Sequence, residues 1–202
     1  SLSLCLLLRA EHEWVLIAAT ILAISSKFLI RCNDKHIFNP VNFALVVMLL
    51  VTDQAWVSPG QWGTSAFWLF LLACLGGLVV YRHARSDVTY AFFIAYCAIL
   101  FGRALWLGDP LSIPLHQIQN GAFLLFTFFM ISDPKTTPNH RTGRIAYACV
   151  VAGVAAFIQF GLFIPTALLW ALFICAPLVP LIDRVMRGRR YLWPEYQLRK
   201  TL

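Results

Sequence analysis

The stretch IAYACVVAGVAAFIQFGL, residues 145–162, carries no charged side chain and a single amide, Gln159. Wound as a helix it rises about 27 Å, close to the roughly 30 Å hydrocarbon core of a bilayer. Six more apolar runs stand along the chain, at about 14–30, 38–57, 63–81, 89–107, 115–131 and 164–182. With 60% apolar residues, 12% charged residues and a mean hydropathy of +0.74, little is left to make a soluble surface. Lipid offers no hydrogen bonds to a bare backbone, so such runs must cross as helices. The expected fold is an all-α integral membrane protein with about seven transmembrane helices.

Charge orients it. Threading the runs alternately through the bilayer gathers Arg31, Lys35, Arg82, Arg85, Lys135, Arg141, Arg144, Arg184, Arg187, Arg189, Arg190, Arg199 and Lys200 on one face. Lys27 lies near the same face, and only Arg9 and Arg103 fall opposite. Lys and Arg in short loops are retained in the cytoplasm. The expected setting is therefore a bacterial cytoplasmic (inner) membrane, crossed many times, with the C-terminus cytoplasmic. The net charge of +7 is accounted for by this asymmetry, and nucleic acid is not expected as a partner. The bilayer is.

No polar linker or low-complexity tract divides the chain, so residues 1–183 read as one polytopic domain and 184–202 as a basic cytoplasmic tail. Residues 1–8, SLSLCLLL, lack the basic start of a signal peptide and are too short to cross. They read as the truncated end of a helix that begins upstream. The cysteines at 5, 32, 74, 97, 149 and 175 form no C-x-x-C pair, and metal ligation, which needs clustered ligands, is not expected. No Ser-His-Asp set, phosphate loop, paired buried carboxylates or H-E-x-x-H is present. Hydrolysis and group transfer by the chain alone are thereby excluded.

Two segments differ from plain spans. Phe38-Asn-Pro40 opens a run that meets polar Thr52 and Asp53 after Val51. A second begins near His116, carries Gln117, Gln119 and Asn120, and ends at Phe128-Phe-Met-Ile-Ser-Asp133-Pro134. Short or interrupted segments in two halves of a membrane protein are the pattern of broken helices around a midplane site. The other reading is that both are ends of ordinary tilted helices. Asn39, beside a proline at a helix start, either caps its own helix or contacts a ligand. Asp133 either caps in the same way or pairs with Arg141 or Arg144. Gln159 is expected to hydrogen-bond a neighbouring helix, and Arg103 to snorkel outward or pair with Asp109. Pro165, Pro177 and Pro180 are expected to kink the last span.

At His36-Ile-Phe-Asn-Pro40, Gly63-Thr-Ser65, Phe128-Phe-Met-Ile-Ser-Asp-Pro134, Arg141-Thr-Gly-Arg144 and Val179-Pro-Leu-Ile-Asp183, the chain resembles a known family. It is the NqrB/RnfD family, whose members are membrane subunits of the Rnf electron-transport complex and of the sodium-translocating NADH:quinone oxidoreductase. The resemblance covers about residues 14–187 and keeps the order of the motifs. It implies a membrane subunit of a redox-driven pump for Na⁺ or H⁺, working with other membrane subunits and with flavin. It also implies an inverted-repeat scaffold with the segments at Phe38 and before Asp133 as corresponding broken helices.

One departure bears on the cofactor. Relatives with covalent FMN attach it to the threonine of an S-G-A-T type motif in the loop after the F-N-P helix. Here that loop is Thr52-Asp-Gln-Ala-Trp-Val-Ser-Pro-Gly-Gln-Trp62, without the motif. Covalent FMN is expected to be absent. A noncovalent flavin, FMN or riboflavin, is compatible with a vicinity of Asn39, Thr64, Ser65 and Asp133, and Trp56, Trp62 and Phe67 offer aromatic faces. Two other functions stay open: a flavin-free channel or carrier for a small solute or ion, and a membrane scaffold or assembly protein.

Overall fold

The computed structural model describes residues 2–32, 35–58 and 86–188. The expected span at 63–81, Thr64, Ser65, Trp62, Phe67, and the basic residues Arg82, Arg85, Arg189, Arg190, Arg199 and Lys200 lie outside the described residues. What is described is helical, with two short antiparallel ribbons. The order is α1 Leu2–Leu7, β1 Leu8–Ala10, α2 Glu13–Leu29, β2 Arg31–Cys32, β3 Lys35–His36, α3 Pro40–Val51 and β4 Ala55–Val57. Further along the chain come α4 Ser86–Leu107, α5 Ser112–Ile118, α6 Gly121–Leu125, a π-helical segment Phe126–Met130, α7 Arg141–Gly161, α8 Ala167–Cys175 and α9 Leu178–Val185.

Length sorts these helices. The 22 residues of α4 and 21 of α7 are long and apolar enough to cross a membrane. The pair α8 and α9, bent by 45° at its break, is together long and apolar enough for a third. The bend falls at Pro177, whose missing N–H leaves the helix ladder without a donor. Helix α2 has 17 residues, at the short edge of the spanning range. The runs expected at 38–57 and 115–131 do not become full spans. Helix α3 has 12 residues, about 18 Å. Thr52, the C-cap of α3, turns extended, and Ala55–Val57 leaves the helix to pair with Leu8–Ala10. The second run breaks at Gln119–Asn120 and restarts as Gly121–Met130, again too short to cross.

The packing is that of a protein in lipid. In α4, Val88, Phe92, Tyr96, Leu100 and Ala104 recur every fourth residue and are buried. They meet α7, whose buried face is dominated by Ala148, Ala152 and Ala155, each 0% exposed. Small residues let helix backbones approach closely where no hydrophobic force drives the helices together. The opposite faces are greasy. Ile17, Ile21, Ile24 and Phe28 form an outward stripe on α2, as do Tyr90, Ile94 and Trp106 on α4. In water such a surface would aggregate; in hydrocarbon it is the lipid-facing side.

Inside the α4–α7 pair, the Tyr96 hydroxyl donates to Gln159 Oε1, the interhelical bond expected of that amide. Tyr96→Phe should lower stability by about 1 kcal/mol, the usual worth of such a bond in a membrane. Thermal unfolding in detergent reads it, and an unchanged midpoint would remove the bond from the account of this helix pair. Arg103 takes the second of its two expected courses, with its guanidinium 3.7 Å from Asp109 Oδ2, and it also sits 4.3 Å from the centroid of the Phe160 ring.

Candidate functional site

One side chain joins the ends of two half-length helices. Asn39 stands at the N-cap of α3 with Pro40 at the first helical position, whose fixed φ suits a helix start. Its Oδ1 accepts from the Val41 and Asn42 N–H groups at 3.1 and 3.2 Å. Its Nδ2 donates to the Met130 carbonyl at 3.3 Å. Met130 closes the π-helical segment, where a carbonyl has no helical partner ahead of it. The capping alternative therefore holds for Asn39, and the same amide ties the start of one broken segment to the end of the other. The second segment starts in the same way: Asn120 Oδ1 accepts from the Ala122 N–H at 2.8 Å.

One turn beyond Asn39 lies a residue that the sequence pattern did not single out. Asn42 is 1% exposed and its Nδ2 donates to the Leu169 carbonyl at 3.1 Å, while its Oδ1 has no hydrogen-bond partner among the described residues. A buried acceptor without a donor is costly and marks a place where a ligand or water completes the pairing. The spacing N-P-V-N was the available signal, since residues three apart share a helix face. Phe38, Phe43 and Phe173 stack beside this crossing, with centroids 4.9–6.0 Å apart.

The basic face is held by two largely buried ion-pair hubs, with side chains 12–17% exposed. Lys35 Nζ donates to Asp183 Oδ2 at 2.8 Å, the Thr137 carbonyl at 2.7 Å and Asn139 Oδ1 at 3.1 Å. Asn139 donates to the same carboxylate through its backbone N at 2.6 Å and its Nδ2 at 3.0 Å. Beside it, Arg144 Nε and Nη2 clasp Asp87 at 2.5–2.9 Å, and Nη1 reaches the Asn139 carbonyl at 2.8 Å. Lys35 and Arg144, expected on one side of the bilayer, do come together, joined through Asn139 and Asp183. The pairing expected for Asp133 is corrected: Arg144 is held by Asp87, a bidentate and nearly dry geometry that outcompetes a turn residue. Asp133 Oδ1 instead accepts from the Lys135 N–H at 2.9 Å and holds its own turn. Its charge is felt by His36. Burial pushes the His36 imidazole below its ordinary value, Asp133 opposes this, and Lys27, Arg31 and Lys135 add to it.

Two cavities open between these elements. One, about 360 Å³, lies at the basic face and is lined by Cys32, Lys35, His36, Asn139, Asp183, Arg184 and Arg187, among others. The second, about 260 Å³, lies at the start of α6 and is lined by Tyr96, Gln117, Asn120, Phe123, Phe126, Gln159 and Thr166, among others. Of the four residues expected near a flavin, the structure brings Asn39 to the 130–133 turn that carries Asp133, while Thr64 and Ser65 lie outside the described residues. Trp56 lines neither cavity; it is 52% exposed on β4, across from Arg9.

Comparison with known proteins follows the same line. A protein from Alcanivorax borkumensis, named as a subunit of an ion-translocating oxidoreductase complex, is 32% identical over 129 residues, covering 61% of this chain and 37% of its own. A protein of the same name from Mannheimia succiniciproducens is 30% identical over 130 residues, 63% of this chain and 36% of its own. Another, from Stutzerimonas stutzeri, is 39% identical over 79 residues, 38% and 22%. The chain thus spans about a third or less of the length of the curated relatives it matches. The model of the NQR2, RnfD, RnfE family matches residues 18–192. With its apolar helices and that match, the chain is a multi-pass membrane protein that belongs to the NQR2, RnfD, RnfE family.

Proposed function

We propose that this chain serves as a membrane subunit of an Rnf-like or Nqr-like electron-transport complex, taking part in flavin-mediated translocation of Na⁺ or H⁺. The observation that carries the reading is the Asn39 amide, which caps one half-helix and holds the end of the other. Broken helices joined at mid-depth are how membrane carriers expose polar backbone to a transported ion without exposing it to lipid. The chain's own acid–base groups do no chemistry in this reading; bound flavin would supply electron transfer. The setting is an inner membrane with the C-terminus cytoplasmic, in contact with other membrane subunits of the complex.

In this reading a flavin would be met by Asn42 more than by Asn39, whose Oδ1 and Nδ2 are already engaged. Asn42 Oδ1 is the available acceptor for an N–H edge, and Asn39, Asp133, Thr64 and Ser65 would border the group. FMN or riboflavin would be held noncovalently. Full-length protein should carry flavin absorbance that is released on denaturation, and Asn42→Leu should lower its occupancy. Colourless protein with no co-purifying subunits would overturn the flavin reading, and a fluorescent band after denaturing electrophoresis would overturn its noncovalent part.

One observation favours a second reading, a flavin-free carrier of a small solute. The 260 Å³ cavity offers Gln117, Asn120, Gln159, Tyr96 and Thr166 with no charged side chain among the described residues of its lining. That chemistry suits a neutral polar molecule. Uptake by vesicles containing this protein alone would decide for it.

A further inference from the structure

Helix α9 has two dissimilar sides. Leu178, Leu181 and Val185, at spacings of three and four, are 37%, 54% and 82% exposed. Pro180, Asp183 and Arg184, with Arg187 just past the helix end, line the 360 Å³ cavity at the basic face. Three cations (Lys35, Arg184, Arg187) and one carboxylate (Asp183) lie in that lining, leaving two positive charges.

Their engagements differ. Lys35 uses its three N–H donors on Asp183, Asn139 and Thr137, so it is a structural cation. Asp183 receives Lys35 and two donors from Asn139, so its charge is already answered. Arg184 and Arg187 have no hydrogen-bond or ion-pair partner among the described residues, and both are exposed at the cavity. His36 lines the same wall, and its Nδ1 is buried without a hydrogen-bond partner among the described residues. The C-terminal carbonyls of α9 disfavour an anion by themselves, but two guanidinium forks at the mouth carry full charge against the fractional charge of the helix end. The wall is also fixed: a Cβ at Gly188 would fall 2.6 Å from Asn139 C and His140 N, so residues 187–188 lie directly on the 139–140 backbone.

We propose that this basin binds the phosphate head of an anionic membrane lipid, with Arg184 and Arg187 as its recognition residues and the Leu181–Val185 side of α9 against its acyl chains. A guanidinium fork matches phosphate oxygens bidentately. Basic pockets between membrane helices are suited to such headgroups. A phosphate free in solution would satisfy the same donors, but the exposed apolar stripe one helical face away selects the lipid. This inference is independent of the flavin reading.

The test is native mass spectrometry of the full-length protein, released from nanodiscs of phosphatidylglycerol mixed with phosphatidylcholine. Wild type should retain phosphatidylglycerol preferentially. The R184Q/R187Q variant should lose at least about tenfold of that preference, while K27Q/R141Q, which removes the same charge from the same face, should keep it. Equal loss in both variants would reduce the effect to general surface charge and overturn the site. Displacement of the lipid by millimolar inorganic phosphate would overturn the lipid as its source. Because Arg184 and Arg187 are exposed, a matching thermal midpoint for R184Q/R187Q and wild type is expected, and a drop of more than a few degrees would overturn their assignment as recognition residues.

Discussion

Replacing Asp183 by Ala should lower the thermal midpoint of the purified protein by about 6–12 °C. Three donors converge on that carboxylate: Lys35 Nζ at 2.8 Å, Asn139 N at 2.6 Å and Asn139 Nδ2 at 3.0 Å. The side chains of the pair are only 14% and 17% exposed. Removing one member of a nearly buried ion pair strands the other, a loss of about 3–5 kcal/mol when burial is complete. Partial exposure brings the expectation to about 3 kcal/mol, which converts to that shift for a chain of this length. Asp183→Asn keeps an acceptor for the Asn139 backbone and should fall between. The double variant K35M/D183L should be much less harmed than the two single losses added together, because no charge is left alone. If D183A melts with wild type, the hub does not hold the 31–36, 137–139 and 178–185 segments together.

Asn39→Ala should cost about 2–4 kcal/mol. The loss has two parts with different remedies. Two helix-start N–H groups lose their acceptor, worth about 0.5–2 kcal/mol. The Met130 carbonyl loses its donor in a buried place, worth about 1–3 kcal/mol. Asn39→Ser restores a capping oxygen without the reach to Met130, so it should recover only the first part. Asn39→Asp keeps the cap but aims a second acceptor at the carbonyl, and should be as damaging as Ala or more so. Unfolding midpoints of the three variants separate these contributions. Equal stability of Ser and wild type would show that the bridge to Met130 carries nothing.

Much of this architecture was legible because lipid imposes strong rules. Residues 89–107 and 145–162 are uniform enough to read as crossings, and they are the two full-length helices among the described residues. Pro177 announced the bend in the last span, and the polar break after Val51 announced that the F-N-P helix is short. Pro40 beside it made Asn39 legible as a cap or a ligand contact, and the structure shows the cap. What could not be read was tertiary. Leu8–Ala10 looks like helix or loop until Ala55–Val57 lies beside it. Arg144 has Asp133 nearer in sequence, yet Asp87, fifty-seven residues away, takes it. Local spacing also cannot reveal that Asn42 lacks a partner for its oxygen among the described residues, since that depends on what α8 presents to it.

The wide turn at Phe126–Met130 has a further consequence. Its closing bond runs from the Ile131 N–H to the Phe126 carbonyl at 3.0 Å, five residues back instead of four. One residue is in effect inserted relative to an α-helix, and each helical residue turns the chain by about 100°. Excising a single position there would straighten the coil and swing every later side chain through that angle. The Ser132–Asp133–Pro134 corner would then face another quarter of the molecule, and the Met130 oxygen would turn away from Asn39. The bulge thus acts as a spacer that sets the phase between two otherwise separate pieces of backbone.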